Sequence, residues 1–558
     1  MPQNLVKRFQ NLSAARRDLV ACLLLALAVL AVYCNVYHYD FLLDDQSLII
    51  TNVFLRDWHH LQDIFTHLNY FGSGAEKGFY RPVVQILQLI TYQMFGLSTP
   101  PFHALNIILH VLNAALVYLL GRRLGFNAGA VFAAALLWSL HPIFTQQVTY
   151  ISSIGELMWT MFSLLALIVL LPTFTTRKIL LAIPIFILAL GSKETAVVFP
   201  ALAVVCLFIV SKSKDRLKPS TYLKTAPFWL LSVLYTVTYF GVNNYRPFNA
   251  GASPVLDSYM HHILPRILTS LATLPAYFSF IFYPVGLHME RIFPVFFDVF
   301  SWPVIAGTAM AAGALAQIIL GKGKRGLPLS FGFIWFAATL APVTGILIPT
   351  DAFISEGWLY MPTIGLALGV AQMLSVWIGH LKFKQAKPAV AVIVAVVALS
   401  LGIKTYFQNE VYQNPATFYD NIFKTGGYRS RAYPDLGDYY LNRREFDKSI
   451  ENFKLAITNP DEHNVPSASM HAQLALAYLG VVSDEHYMIT PNAVMEALPH
   501  STHIPEAIDE LDASLRLDPD FYFAHTILSV IYKFQGDERS ANYHHQKMLE
   551  TLHKLGRI

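Results

Sequence analysis

Two adjacent carboxylates, Asp44 and Asp45, stand in the stretch Phe41-Leu42-Leu43-Asp44-Asp45-Gln46, just past the outer end of the first apolar run. Charge beside hydrocarbon is costly, so a carboxylate pair at a membrane–water boundary points to chemistry before packing. In an extended loop neighbouring side chains face opposite ways; one of the two reaches a substrate, and the other orients an arginine or the backbone. Crowding couples their titration, and partial burial raises the apparent pKa of one, which suits a general base at neutral pH. The bland alternative is a solvated or helix-capping Asp-Asp pair.

Other polar groups fall on the same side of the apolar segments. Arg81, in Tyr80-Arg81-Pro82, can pair with a carboxylate, a lipid headgroup or a phosphate ester, or simply anchor the interface. Lys193-Glu194 interrupts apolar segments that together run from Ile179 to Val210, and a lysine at that depth suits phosphate binding. His141 (before Pro142) and Glu156 share that rim, with His141 also readable as a helix-end residue. Glu356 and Tyr360, in Ser355-Glu356-Gly357-Trp358-Leu359-Tyr360, open a further span from this side, and His288, Glu290 and Arg291 line the approach. A base with phosphate-binding cations, and no metal or nucleotide motif, suits glycosyl transfer from a lipid-phosphate sugar. The leaving phosphate needs electrostatic stabilisation rather than a general acid. One carboxylate then deprotonates the acceptor hydroxyl, and a single displacement inverts the anomeric centre. No metal and no cofactor is expected.

These residues need a membrane frame, and composition provides it. The chain is 54% hydrophobic and 14% charged, against about 45–50% and about 25% in soluble proteins. A net charge of +4, with basic residues confined to short loops, excludes nucleic acid as a partner. Cys22, Cys34 and Cys206 all lie in apolar runs and show no metal or haem spacing. The first apolar run reads as an uncleaved anchor.

Short cytoplasmic loops carry the excess of Lys and Arg. With Lys7, Arg8, Arg16 and Arg17 inside, eleven spans follow: 18–36, 102–120, 128–143, 154–171, 179–191, 195–210, 226–243, 302–320, 328–348, 358–379 and 388–404. Residues 37–100 form the first external loop. The loops at Lys322, Lys324 and Arg325 and at Lys382 and Lys384 must be inside, so 244–262 and 284–301 are outside. Residues 263–283 therefore lie on the surface or re-enter, broken by Pro265, Pro275 and Pro284. A twelve-span alternative would turn the C-terminal region inward.

The expected domains are a membrane-embedded catalytic part over 1–405 and a soluble, extracytoplasmic part over 406–558. The second repeats: Leu436-Gly437, Tyr440, Ser449, Phe453 and Ala456 stand at the offsets of a 34-residue tetratricopeptide unit, and Ala507 and Ala541 are 34 apart. About 24 inserted residues, near 480–503, account for the longer Ser449–Ala507 spacing. The fold class is thus all-α, a polytopic helix bundle followed by a tetratricopeptide α-solenoid. Such arrays bind extended peptides or partner helices.

In order along the chain, Leu43-Asp44-Asp45, Tyr80-Arg81-Pro82, Phe102-His103 through Asn113, Leu140-His141-Pro142, Ser192-Lys193-Glu194, Tyr283-Pro284-Val285-Gly286-Leu287 and Glu356 with Leu359-Tyr360-Met361-Pro362 resemble the C-type glycosyltransferase superfamily. More narrowly they resemble the transmembrane and tetratricopeptide repeat-containing protein O-mannosyltransferases and their bacterial relatives. The resemblance implies a polyprenyl- or dolichyl-phosphate sugar donor, an exported protein as acceptor at Ser or Thr, Asp44 or Asp45 as base, and Arg81 and Lys193 on the phosphate. It implies an active site on the periplasmic side of a bacterial inner membrane, or its equivalent in the endoplasmic reticulum lumen. Where relatives often carry Glu-Arg, this chain reads Glu356-Gly357-Trp358, so one expected cation is missing. Transfer to a lipid-linked glycan, or a non-catalytic scaffold for a surface apparatus, are the competing expectations.

Overall fold

The structure, a computed structural model, describes residues 13–73, 78–216, 218–242, 254–321, 323–350, 352–380, 386–427, 432–460, 466–482 and 490–554. Lys7, Arg8, Lys322, Lys382 and Lys384, and residues 244–253 of the expected external loop, lie outside them. Every element among the described residues is helical. The chain divides into two compact units, 1–414 and 415–558.

In the first unit a helix lies at each of the eleven expected span positions, from Ala14–Val32 to Ala386–Asn409. Six are long and apolar enough to cross a bilayer, or seven if the bent pair Ala128–Ser139 and Pro142–Thr149 counts as one. The chain is a membrane protein, but the count of eleven is not reached by length: Phe199–Val210 is 12 residues and Thr176–Leu190 is 15, against about 20 for a full crossing. A second expectation changes as well. Ile263–Phe282 runs unbroken through Pro275, and Pro265 sits in its first turn, where a missing N–H costs nothing. Only Pro284 lies beyond the helix end.

Small residues and buried polar groups hold these helices together, as expected where lipid is as apolar as leucine. Gly369 lets the Pro362–Gly379 helix meet Gly323–Leu340, since a Cβ there would stand 2.3 Å from the Pro328 carbonyl oxygen. From the Thr99–Arg123 helix, His110 Nε2 donates to the Ser139 carbonyl (2.9 Å), which leaves Nδ1 to accept from the Tyr360 hydroxyl (2.7 Å). Asn113 donates to that same hydroxyl (3.2 Å) and to the Leu157 carbonyl (3.0 Å).

The division falls at 414, nine residues beyond the expected boundary at 405. The Ala386–Asn409 helix outlasts its apolar run because its end is tied to the first helix. Asn409 Nδ2 donates to the Val32 carbonyl (3.0 Å), and Asn35 Nδ2 donates to the Tyr406 carbonyl (2.9 Å). The second unit pairs Ala432–Asn442 with Phe446–Thr458, Ala468–Leu479 with Ile504–Leu517, and Tyr522–Phe534 with Glu538–Lys554. Between the two helices of the middle pair sits a short helix, Pro491–Ala497. Its core includes Phe453, Ala507, Leu511 and Ile527, and Ser449 Oγ donates to the Gly437 carbonyl (2.8 Å) across the first pair.

Candidate active site

The site is organised by one segment, Tyr150 to Glu156, which leads into the Ile154–Leu170 helix. The loop after the first helix docks against it. Leu43 adopts φ 48°, a left-handed conformation that costs about 1–2 kcal/mol for a residue with a Cβ. The tight turn that results sends Asp44 and Asp45 to different surroundings. Asp45 is buried: Oδ2 accepts from the Leu42 N–H (2.9 Å), and Oδ1 accepts from the Ser152 N–H (2.9 Å) and the Ser152 hydroxyl. Burial pushes the Asp45 carboxyl up to about 7, against the pull of those Ser152 and Leu42 donors. Asp44 is half-buried, and its backbone N–H donates to the Tyr150 hydroxyl oxygen (2.9 Å). Burial, followed by the charges of Asp44 and Asp45, lifts the Tyr150 phenol far above its ordinary value, so it stays protonated.

The cations meet the other end of the same segment, at Gly155 and Glu156. Arg81 precedes the Pro82–Phe95 helix and meets Glu194 through two parallel hydrogen bonds, Nε–Oε2 at 3.0 Å and Nη2–Oε1 at 2.9 Å. Burial raises Glu194, but Arg81 outweighs it and holds the carboxyl below its ordinary value. The guanidinium also lies 4.2 Å over the Phe79 ring. Lys193 Nζ contacts Glu156 Oε2 at 2.7 Å in the first turn of the Ile154–Leu170 helix, where a carboxylate also complements the helix dipole. Gly155 permits this assembly: a Cβ there would stand 3.0 Å from the Ser192 carbonyl and 3.9 Å from Arg81 Cδ.

A third ion pair faces Gln146 and Gln147, just upstream of Tyr150. Glu356 Oε1 accepts from Arg291 Nε (2.8 Å), from Arg291 Nη2 and from the His288 N–H (3.1 Å). Its neighbour Gly357 abuts the two glutamine side chains. The cation beside Glu356 is thus Arg291, which comes from a distant part of the sequence.

Two expected pocket residues are taken up by structural hydrogen bonds, although Tyr360 lies within electrostatic reach of Glu156. Tyr360 is fully buried as the centre of the His110–Asn113 network, whose hydrogen bonds offset the cost of taking its hydroxyl out of water. His141 caps the Pro142–Phe144 turn, with Nδ1 accepting from the Ile143 N–H (3.2 Å) and Nε2 donating to the Ile281 carbonyl (2.8 Å), so neither ring nitrogen is left for a substrate. Sequence reasoning passed over Tyr150 and Ser152, whose hydroxyls between apolar runs give a weak signal. It also passed over Tyr235, whose hydroxyl is buried without a hydrogen-bond partner among the described residues and lies within electrostatic reach of Glu194 and Arg81. Among the described residues no cluster of three or more His, Cys, Asp or Glu is placed to hold a metal ion.

No family model matches the chain. A protein O-mannosyl-transferase of Caenorhabditis elegans is 34% identical over 139 residues, 23% of this chain and 20% of that protein. The protein O-mannosyl-transferase TMTC3 of Mus musculus is 22% identical over 484 residues, 79% of this chain and 51% of that protein. The chain's homologues are TMTC-type O-mannosyltransferases. It spans about half the length of the two curated relatives that it matches over most of its own length. Among solved structures, the archaeal oligosaccharyltransferase AglB from Archaeoglobus fulgidus, in complex with an inhibitory peptide and a dolichol-phosphate, covers 83% of this chain and 64% of its own at 16% identity. The TM-score of that match is 0.42, too low to carry weight.

Proposed function

We propose that this chain is a membrane glycosyltransferase that moves a sugar from a polyprenyl-phosphate donor to a hydroxyl, a Ser or Thr of an exported protein. The reading fits its homologues. It rests above all on one observation: the Tyr150–Glu156 segment holds the Asp44 backbone at one end, through the Tyr150 hydroxyl, and at the other end meets two cations already oriented by carboxylates.

In this mechanism Asp44 accepts the proton of the acceptor hydroxyl as its oxygen attacks the anomeric carbon. The carbon–oxygen bond to the phosphate breaks, and the electron pair leaves with polyprenyl phosphate, so the configuration inverts. Asp45 is a positioning residue that holds the Leu42 turn on Ser152. Arg81 uses Nε and one Nη on Glu194, and its other Nη remains for a phosphate oxygen; Lys193 keeps two N–H groups beyond Glu156. The Tyr235 hydroxyl is a further donor for the same phosphate. The second unit is a tetratricopeptide array that recruits the acceptor protein, and the site and this array lie on the extracytoplasmic side.

Asp44→Asn tests the assignment in proteoliposomes given a polyprenyl-phosphate sugar and an acceptor peptide. Transfer is expected to fall about 10²–10⁴-fold, the span of a lost general base, with the melting temperature unchanged. Wild-type rates in Asp44→Asn would remove the base from this site.

A further inference from the structure

A cavity of about 810 Å³ lies inside the first unit, away from the ion pairs. Its walls are stripes from the Ala128–Ser139, Pro362–Gly379 and Ala386–Asn409 helices, all of them at span positions. On the last helix the lining positions are 387, 390, 391, 394 and 395, one helical face. The lining is overwhelmingly hydrocarbon. Water is a poor occupant, because it needs several polar partners and, apart from Ser375 and Lys387, the polar side chains of the lining are already used in hydrogen bonds. Asn127 Oδ1 accepts from the Gly129 and Ala130 N–H groups, Thr363 Oγ1 donates to the Leu359 carbonyl, and both His141 nitrogens are used. A hydrocarbon chain, in contrast, gains contact along the whole wall.

The two ends of the cavity differ. Thr405, at the far end of the Ala386–Asn409 helix, donates to the Leu140 carbonyl (2.8 Å) and so marks the level of His141. Lys387 lies 18 residues earlier, about 27 Å along the helix axis at 1.5 Å per residue. Among the described lining residues Lys387 is the single charged side chain, and it is exposed; Asn127, four residues after Arg123, lines the same end. An anionic headgroup at the His141 end would meet no spare donor. At the Lys387 end it meets an ammonium.

We propose that this groove is a site for one anionic phospholipid of the surrounding bilayer, with an acyl chain between the three helices and its phosphate at Lys387. By the positive-inside rule that end faces the cytoplasmic leaflet, across the membrane from the candidate active site. The site is therefore separate from that of the sugar donor and independent of the transferase reading.

The test is native mass spectrometry of the full chain, extracted in mild detergent from membranes containing phosphatidylethanolamine and phosphatidylglycerol. One phosphatidylglycerol is expected to stay bound after the detergent is stripped. Lys387→Ala should reduce its retention at least fivefold, while Lys387→Arg retains it. Ala391→Trp, which fills the groove and leaves Lys387 in place, should abolish retention; an unchanged elution profile on size exclusion verifies folding of each variant. The proposal is overturned if wild type keeps no lipid, if Lys387→Ala keeps as much as wild type, or if the bound species is phosphatidylethanolamine or a polyprenyl phosphate.

Discussion

The two units of this protein treat charge in opposite ways. On the rim of the membrane unit, acids and bases are buried against one another: Glu356 is 3% exposed beside Arg291, and Glu156 is 7% exposed beside Lys193. In the second unit the Lys and Arg ion pairs among the described residues stand in solvent, as in Lys424–Asp420, with side chains 72% and 58% exposed. Removing two charges from water costs several kcal/mol per ion, and a hydrophobic pair of equal volume is often as stable. A cluster of buried pairs is thus a poor way to gain stability and a good way to hold charge where a substrate needs it. The exposed pairs keep a helical array soluble.

The sharpest way to break this contrast is to remove a cation from the rim. Lys193→Gln should weaken donor use by about 2–4 kcal/mol in transition-state terms, the usual size of one lost anion-stabilising contact, measured as kcat/KM for the lipid-phosphate sugar. Undiminished turnover would reassign Lys193 to structure. Glu356→Ala probes the opposite member of a pair. It leaves the Arg291 guanidinium without its partner, and an unfolding free energy lowered by about 3–5 kcal/mol is expected in detergent. If Arg291→Met added to Glu356→Ala restores much of that loss, the pair is coupled as described. Asp45→Asn comes next, at about 1–3 kcal/mol, because an amide nitrogen would then face a backbone N–H that now donates to a carboxylate. Here stability, not chemistry, is the readout that separates Asp45 from Asp44.

The second unit should respond weakly to loss of charge and visibly to acid. His525 Nε2 donates to the Pro519 carbonyl (3.1 Å), so its Nδ1 accepts from His544 Nδ1 (2.8 Å), which holds the His544 ring in a partly buried position. Burial, and then the nearby His525, depress His544 to about 4. Between the ordinary value near 6.5 and about 4 the unfolded chain binds more protons than the folded one. Stability contributed here is present above pH 6.5 and is lost as pH falls through that window. Hydrogen-exchange protection factors, corrected for the intrinsic slowing of exchange in acid, should fall in the Tyr522–Phe534 and Glu538–Lys554 helices from pH 7 to pH 5, and less so in His544→Phe. Smallest of all, Lys448→Ala removes an exposed contact with Glu445 and should leave the melting temperature unchanged.

Much of this was legible in the chain. Runs of apolar residues bounded by Lys and Arg marked all eleven helix positions, because backbone in lipid must satisfy its own hydrogen bonds and has few alternatives to a helix. The rim residues Asp44, Arg81, Glu156 and Lys193 were visible for a related reason: charge next to long apolar runs is rare enough to stand out. Helix length was less legible. Ile263–Phe282 continues through a proline that local rules read as a break, since packing against the Trp302–Leu320 helix offsets the lost hydrogen bond.

What sequence alone determined, then, is where helices form and where charge gathers, both of them consequences of local composition meeting hydrocarbon. Partnership was decided only in three dimensions. Arg291 reaches Glu356 across 65 positions, Lys193 chooses Glu156 over its neighbour Glu194, and of two adjacent aspartates just one is buried. Such choices depend on which helices pack together and on how deeply each group is desolvated, and no window of neighbouring residues contains either quantity.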